Sequence, residues 1–207
     1  MNYLAHLYLS GKDQGLLVGN FIGDYVKGRQ FTRYSGTIQT GILLHRHIDG
    51  FTDSHPEFLK SASFFKEGYH RYAGVVCDIV YDHFLAAYWS GYSDISLHEF
   101  VSRAHRILIK HYFSLPLKVK QFLPFLIKSR RLENYQFLDG VEKTLRIMST
   151  HSSLPDNTSY ALRQLEKNYD ALWQQFSRFM PEMEASVRGF LESPQRFIRF
   201  DHTALSG

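Results

Sequence analysis

Apolar residues recur three and four positions apart along nearly the whole chain, and strict apolar–polar alternation is rare. That period is helical, and it predicts an all-α fold. The pattern gives a short helix over residues 2–10, a second over 14–27 and a third over 36–53. Ser54-His55-Pro56-Glu57 reads as a capping box with an early proline and opens a further helix. Another helix runs from Tyr69 to Trp89. Ser96-Leu97-His98-Glu99 is a second capping box, opening a helix toward His111. Residues 114–131 hold two prolines and five basic residues, which predicts broken helix and loop. Helices over 133–150 and 157–191 follow. In the last, Leu162, Leu165, Tyr169, Leu172, Phe176 and Phe179 form a stripe of core-facing residues. The expected organisation is a single compact helical domain over 1–192 and a C-terminal tail over 193–207, whose mixture of Phe and Arg assigns it no structure.

Composition narrows the class. Of 207 residues, 44% are hydrophobic, 15% aromatic and 21% charged, which excludes a disordered or collagen-like chain and supplies a largely aromatic core. The net charge of +4 permits an acidic partner without demanding one. A single cysteine, Cys77, makes neither an internal disulfide nor a multi-thiolate zinc site and favours a reducing compartment. No apolar run approaches the roughly 20 residues that span a bilayer. With no basic, apolar leader at the N-terminus, the cytoplasm is the expected location and no membrane association is expected.

The informative residues are polar groups where the helices should be greasy. On a wheel of 36–53, Ile38, Gly41, Ile42, Leu44, Ile48 and Phe51 form the apolar arc, and His45 and Asp49 fall in its middle, four apart. Asp53 sits at the arc's edge. Arg46 lies beyond it, and His47 points away. The helix over 69–89 is apolar almost all round, which predicts a central position. It nevertheless carries Asp78 and Asp82 on one face, with His83 beside them. Asn20 and Asp24 share a face of the second helix, and Asn2 and His6 a face of the first. Gly15, Gly19 and Gly23, also four apart, permit another helix to approach closely. Carboxylates on buried faces are unfavourable unless paired or bound to a cation. Four such pairs point to one shared polar centre. Carboxylates with one or two imidazoles and no thiolate suit Mg²⁺ or Mn²⁺. Such ions polarise phosphoryl oxygens and activate water, so phosphoester hydrolysis is the natural reaction class.

Met1-Asn2-Tyr3-Leu4-Ala5-His6-Leu7, Gly19-Asn20 with Asp24, His45-Arg46 with Ile48-Asp49 and Thr52-Asp53, and Asp78 with Asp82-His83-Phe84-Leu85 resemble the acyl carrier protein phosphodiesterases of bacteria. The resemblance covers about residues 1–191. It implies removal of 4′-phosphopantetheine from holo-acyl carrier protein with a divalent cation, Mn²⁺ or Mg²⁺. It also implies a helical fold distantly similar to the HD-type metal phosphohydrolases. The chain holds no His-Asp dipeptide; His45 with Asp49 and the reversed Asp82-His83 stand nearest to one.

On that resemblance, Asp24, His45, Asp49, Asp78 and Asp82 are the expected metal ligands. His83, then His6, are the candidate general acids for the departing serine oxygen. Arg46 is the candidate for stabilising phosphoryl charge. Lys27, Arg29 and Arg33 are the expected collar for the acidic carrier protein, with Lys118, Lys120, Lys128, Arg130 and Arg131 as a second group. Two other readings remain. One is an HD-like phosphohydrolase acting on a nucleotide. The other, from a different class, is a basic helical nucleic-acid-binding protein, which leaves Asp24, Asp49, Asp78 and Asp82 without a purpose. The phosphodiesterase reading carries the expectation of a protein substrate and no nucleic acid.

Overall fold

The computed structural model describes residues 2–34 and 36–193, and among them every regular element is helical. The α-helices are α1 (Tyr3–Leu9), α2 (Gln14–Ile22), α3 (Gly36–Ser54), α4 (Pro56–Ser63), α5 (Lys66–Tyr69) and α6 (Ala73–Ala87). They continue as α7 (Leu97–Lys110), α8 (Leu117–Lys128), α9 (Arg131–Asn134), α10 (Leu138–His151), α11 (Thr158–Lys167) and α12 (Tyr169–Glu192). Residues 194–207, and with them nearly all of the expected tail, lie outside the described residues. No helix among the described residues is long and apolar enough to cross a membrane.

Helix α6 occupies the middle, against α1, α4, α10 and α12. From Val76 to Ala86 every residue except Asp78 is buried, as its all-round apolar pattern requires. An aromatic cluster locks it to α4 and α12. Tyr81 meets Phe58 and Phe176 edge to face at ring distances of 5.4 and 5.1 Å.

Helices α2 and α3 approach backbone to backbone. A Cβ on Gly19 would lie 2.0 Å from the Ile38 carbonyl oxygen, and one on Gly41 would lie 2.4 Å from that of Leu16. The glycine spacing therefore sets this contact. Gly23 has a different neighbour: its Cβ would fall 2.2 Å from Cγ of the His45 ring.

Several boundaries differ from the periodic expectation. The second helix ends at Ile22 and tightens into a 3₁₀ turn over Gly23–Tyr25, which redirects Asp24. The helix after Ser54 is capped by His55, whose Nδ1 accepts from the Glu57 amide, with Pro56 in the first turn. Ser96 caps α7 as expected, its hydroxyl accepting from the Glu99 amide at 3.1 Å. The helix expected from Tyr69 begins at Ala73, because His70 adopts a left-handed backbone (φ 46°). The helix expected over 157–191 breaks at Asn168 (φ −114°, ψ 21°) into α11 and α12. The helix expected over 133–150 divides into α9 and α10.

Residues 114–131 are more helical than expected, since α8 continues through Pro124. An interior proline costs about 3 kcal/mol. Helix α8 buries Val119, Leu123 and Leu126, and each such side chain returns about 1.5–3 kcal/mol. The apolar stripe outweighs the proline, which faces solvent.

Candidate metal centre

The first turn of α1 is held by α6. Both carboxylate oxygens of Asp82, which is fully buried, accept backbone amides: Oδ2 from Leu4 at 2.8 Å and Oδ1 from Ala5 at 3.1 Å. A carboxylate is well matched to a helix N-terminus. Burial still pushes its pKa up to about 7, against those two amide bonds. This contact fixes the position of the residue one step further along α1, His6.

Asn20 on α2 then orients two imidazoles. Its Nδ2 donates to the His6 carbonyl at 2.7 Å and to Ser10 Oγ at 2.9 Å, which leaves Oδ1 as the acceptor for His6 Nδ1 at 2.7 Å. Its backbone carbonyl accepts from His45 Nδ1 at 2.9 Å. With each Nδ1 donating, each Nε2 carries a lone pair whenever its ring is neutral. The rings stack with centroids 4.2 Å apart and planes 21° apart. The flat face of His45 rests on Gly23, where no side chain intervenes.

Both Nε2 atoms face Asp49, one turn beyond His45 on α3. His6 Nε2 lies 3.2 Å from Asp49 Oδ1, and His45 Nε2 lies 3.1 Å from Oδ2. Asp24, on the 3₁₀ turn after α2, brings Oδ1 to 3.4 Å from His45 Nε2. One donor atom from each of His6, His45 and Asp49 falls within 4.8 Å of the other two. The histidines are buried, whereas the Asp49 side chain is 39% exposed, so the group opens to solvent on its carboxylate side.

Electrostatics divide the two rings. Burial, then the neighbouring His45, lower the pKa of His6 to about 4. Burial also opposes charge on His45, but hydrogen bonds to Asp24 and Asp49 overcome it and raise its pKa to about 9. Burial would raise Asp49, and its bonds to His45 and His6 hold it well below the usual carboxylate range. Asp24 is lowered chiefly by the bond to His45. Without a cation the centre is thus a neutral imidazole stacked on an imidazolium that faces two carboxylates. His45 Nε2 sits between the carboxylates of Asp49 and Asp24, at 3.1 and 3.4 Å. Two imidazole nitrogens facing carboxylate oxygens form a donor set that fits a divalent cation.

The remaining expected site residues are not in this converging group. Asp82 is absent from the converging group, with its oxygens on the α1 amides. Asp78, partly buried, is also absent from it; burial raises its pKa to about 6, and the charges of Asp49 and Asp53 push in the same direction. His83 engages both ring nitrogens away from that group, Nδ1 with the Tyr135 carbonyl at 2.7 Å and Nε2 with the Tyr169 hydroxyl at 3.1 Å. Arg46 donates to the carbonyls of Val26 and Gly28 and lies 5.1 Å over the Phe31 ring, clasping the segment that carries Asp24. Lys27, Arg29 and Arg33 are exposed on the 3₁₀ segment that follows. His47 points to α12, with Nε2 2.8 Å from Ser186 Oγ. Asn2 caps α1 and donates to the Tyr135 hydroxyl at 3.0 Å. Sequence reasoning missed the part played by Asn20. Its signal was a fully polar amide on the apolar face of α2, at the place where the glycines bring α3 close.

An all-helical domain with a His–His–Asp group of this kind defines a class, the helical proteins with a candidate cation site. The particular family follows from comparison with known proteins. The family model described as acyl carrier protein phosphodiesterase matches residues 1–183. An acyl carrier protein phosphodiesterase of Serratia proteamaculans is 31% identical over 184 residues, covering 88% of this chain and 95% of its own. One from Salmonella agona is 32% identical over 188 residues, covering 90% and 97%. No solved structure matches. The chain belongs to the acyl carrier protein phosphodiesterase family.

Proposed function

We propose that this protein hydrolyses the phosphodiester joining 4′-phosphopantetheine to a serine of holo-acyl carrier protein, with a divalent cation held by His6, His45 and Asp49. Family membership supports the reaction. The convergence of two Asn20-oriented imidazoles on one carboxylate carries the assignment of the centre. Two imidazoles with carboxylate oxygens favour Mn²⁺ over Mg²⁺, which prefers an all-oxygen shell. When bound, such an ion supplies Lewis-acid polarisation of a phosphoryl oxygen and a more acidic water.

The chain's own residues do the rest. Asn20 holds both Nε2 lone pairs toward the ligand position, and Asp82 holds α1 so that His6 reaches it. Asp24, whose side chain is 59% exposed, stands at the mouth, where it accepts a hydrogen bond from the attacking water. Occupation of the centre requires His45 to give up its proton, so metal uptake releases acid. Arg46 acts through the loop it clasps, fixing Asp24 relative to His45. Lys27, Arg29 and Arg33, just beyond Asp24, receive the acidic carrier protein. A cytoplasmic location accords with that substrate.

Calorimetric titration of the metal-depleted protein with Mn²⁺ tests the centre. The expected result is about one ion per chain, with affinity reduced by roughly a hundred-fold or more in His6→Ala, His45→Ala and Asp49→Ala. Full affinity in all three, with turnover retained, would place the cation elsewhere.

A further inference from the structure

An open groove of about 990 Å³ runs between α8 and the end of α10. Its volume lies at the upper end of the usual range for small-molecule sites, about 300–1,000 Å³. Tyr3 and Tyr25 close its inner end, with their hydroxyls 3.0 Å apart. These two residues join the groove to the centre. Tyr3 precedes His6 by one turn of α1, and Tyr25 follows Asp24 directly. The Phe122 ring lies tilted against both, its centroid 5.7 Å from each, and Phe125 and Met148 add apolar lining. Phe125 is 72% exposed and so is free to meet a ligand in the groove.

The rim is cationic. Lys118 and Lys128 line the groove from exposed positions, and Arg131 lines it from a half-buried one, near Tyr25. Their basic neighbours are engaged elsewhere, Lys120 with the Phe113 carbonyl and Arg130 with Glu133. An apolar trough with a positive rim, lined at one place by Tyr3 and Tyr25, suits a ligand with a long, largely uncharged body and an anionic end. The pantetheine arm has that chemistry: its phosphate sits at the scissile bond, and its neutral amide chain extends to a thiol.

We propose that the groove between α8 and α10 seats the pantetheine arm of the carrier-protein substrate while its phosphate lies at the centre. The proposal rests on the phosphodiesterase reading. The arm leaves the centre past Tyr3 and Tyr25, runs along Phe122 and Phe125, and presents its thiol end beside Met148. Lys118, Lys128 and Arg131 face the acidic carrier above it.

The test compares Phe125→Asp with Phe113→Asp, a residue 91% exposed and outside the groove. Each variant is assayed on holo-carrier protein and on bis(p-nitrophenyl) phosphate, with helix content checked by circular dichroism. Free 4′-phosphopantetheine serves as an inhibitor of the small-diester reaction. Phe125→Asp is expected to lower the ratio of kcat/KM on holo-carrier protein to that on the small diester by about ten-fold, and to weaken the inhibitor by a similar factor. Phe113→Asp should leave both measures as in the wild type. An unchanged ratio and inhibition constant in Phe125→Asp would overturn the proposal, as would equal losses on both substrates. Equal effects of the two variants would show a broad apolar docking face in place of an arm site. A wild type that cleaves the small diester but never the holo-carrier protein would overturn the substrate reading itself, and the groove's occupant with it.

Discussion

His83 and His105 are imidazoles that burial holds below their ordinary pKa of 6.5. As pH falls, the unfolded chain takes up these protons first. Their contribution to stability is therefore complete above about pH 6.5 and is lost as pH falls through the folded-state values. His45, raised to about 9, acts in the opposite sense: its contribution is full below 6.5 and is lost as pH rises through 9. Replacing His83 isolates one acid-side term. In metal-depleted protein the fall in Tm between about pH 7 and about pH 5 should be smaller for His83→Gln than for the wild type. The same fall in both would mean that His83 takes up its proton equally readily in the folded state. At this scale the sequence was partly readable. His45 and Asp49 stood out because they interrupt an apolar arc, and the structure puts them side by side. Asp82 stood out for the same reason, but the wheel could not reveal that its partners are the amides of α1. A helix wheel shows which face a carboxylate occupies and says nothing of what another helix end presents to it.

At the scale of elements, the contact between α2 and α3 decides where the imidazoles stand. The glycine spacing announced it, since Gly19 and Gly41 leave no room for a Cβ between the backbones. Gly23 has a second purpose, because a Cβ there would enter the His45 ring. The backbone at Gly23 is ordinary right-handed helix (φ −53°), so alanine is conformationally acceptable and the whole effect is steric. Gly23→Ala should keep the helical content and weaken Mn²⁺ binding by roughly ten-fold or more through displacement of His45, as calorimetry would show. Wild-type affinity would mean that the ring position is not critical. The stripe from Leu162 to Phe179 predicts one helix over 157–191 because it runs through the break at Asn168 without a change of period. Helix α8 departs for the converse reason: two prolines and five basic residues over 114–131 predict broken helix and loop, while three buried aliphatic residues carry the helix past Pro124.

At the scale of the whole molecule, the basic residues proposed to receive a protein partner follow Asp24 on an exposed segment. Arg29 is exposed on the segment after Asp24. If it steers an acidic carrier protein, charge reversal acts on encounter, within a screening length of about 8 Å at physiological ionic strength. Arg29→Glu should lower kcat/KM on holo-carrier protein several-fold at low salt with little change in kcat, and added salt should narrow the gap from the wild type. Equal losses at all ionic strengths would place Arg29 in the chemistry or the fold.

The central claim joins a reaction to a cation centre, and intact mass spectrometry of the substrate tests both together. Holo-acyl carrier protein is incubated with chelator-treated enzyme, with and without added Mn²⁺, and the carrier protein is weighed. With Mn²⁺, the carrier should lose the mass of its phosphopantetheine arm and appear as the apo-protein; without it, the mass should stay that of the holo-protein. A carrier that remains holo in both samples would contradict the assigned reaction, and one that becomes apo in both would contradict the metal centre.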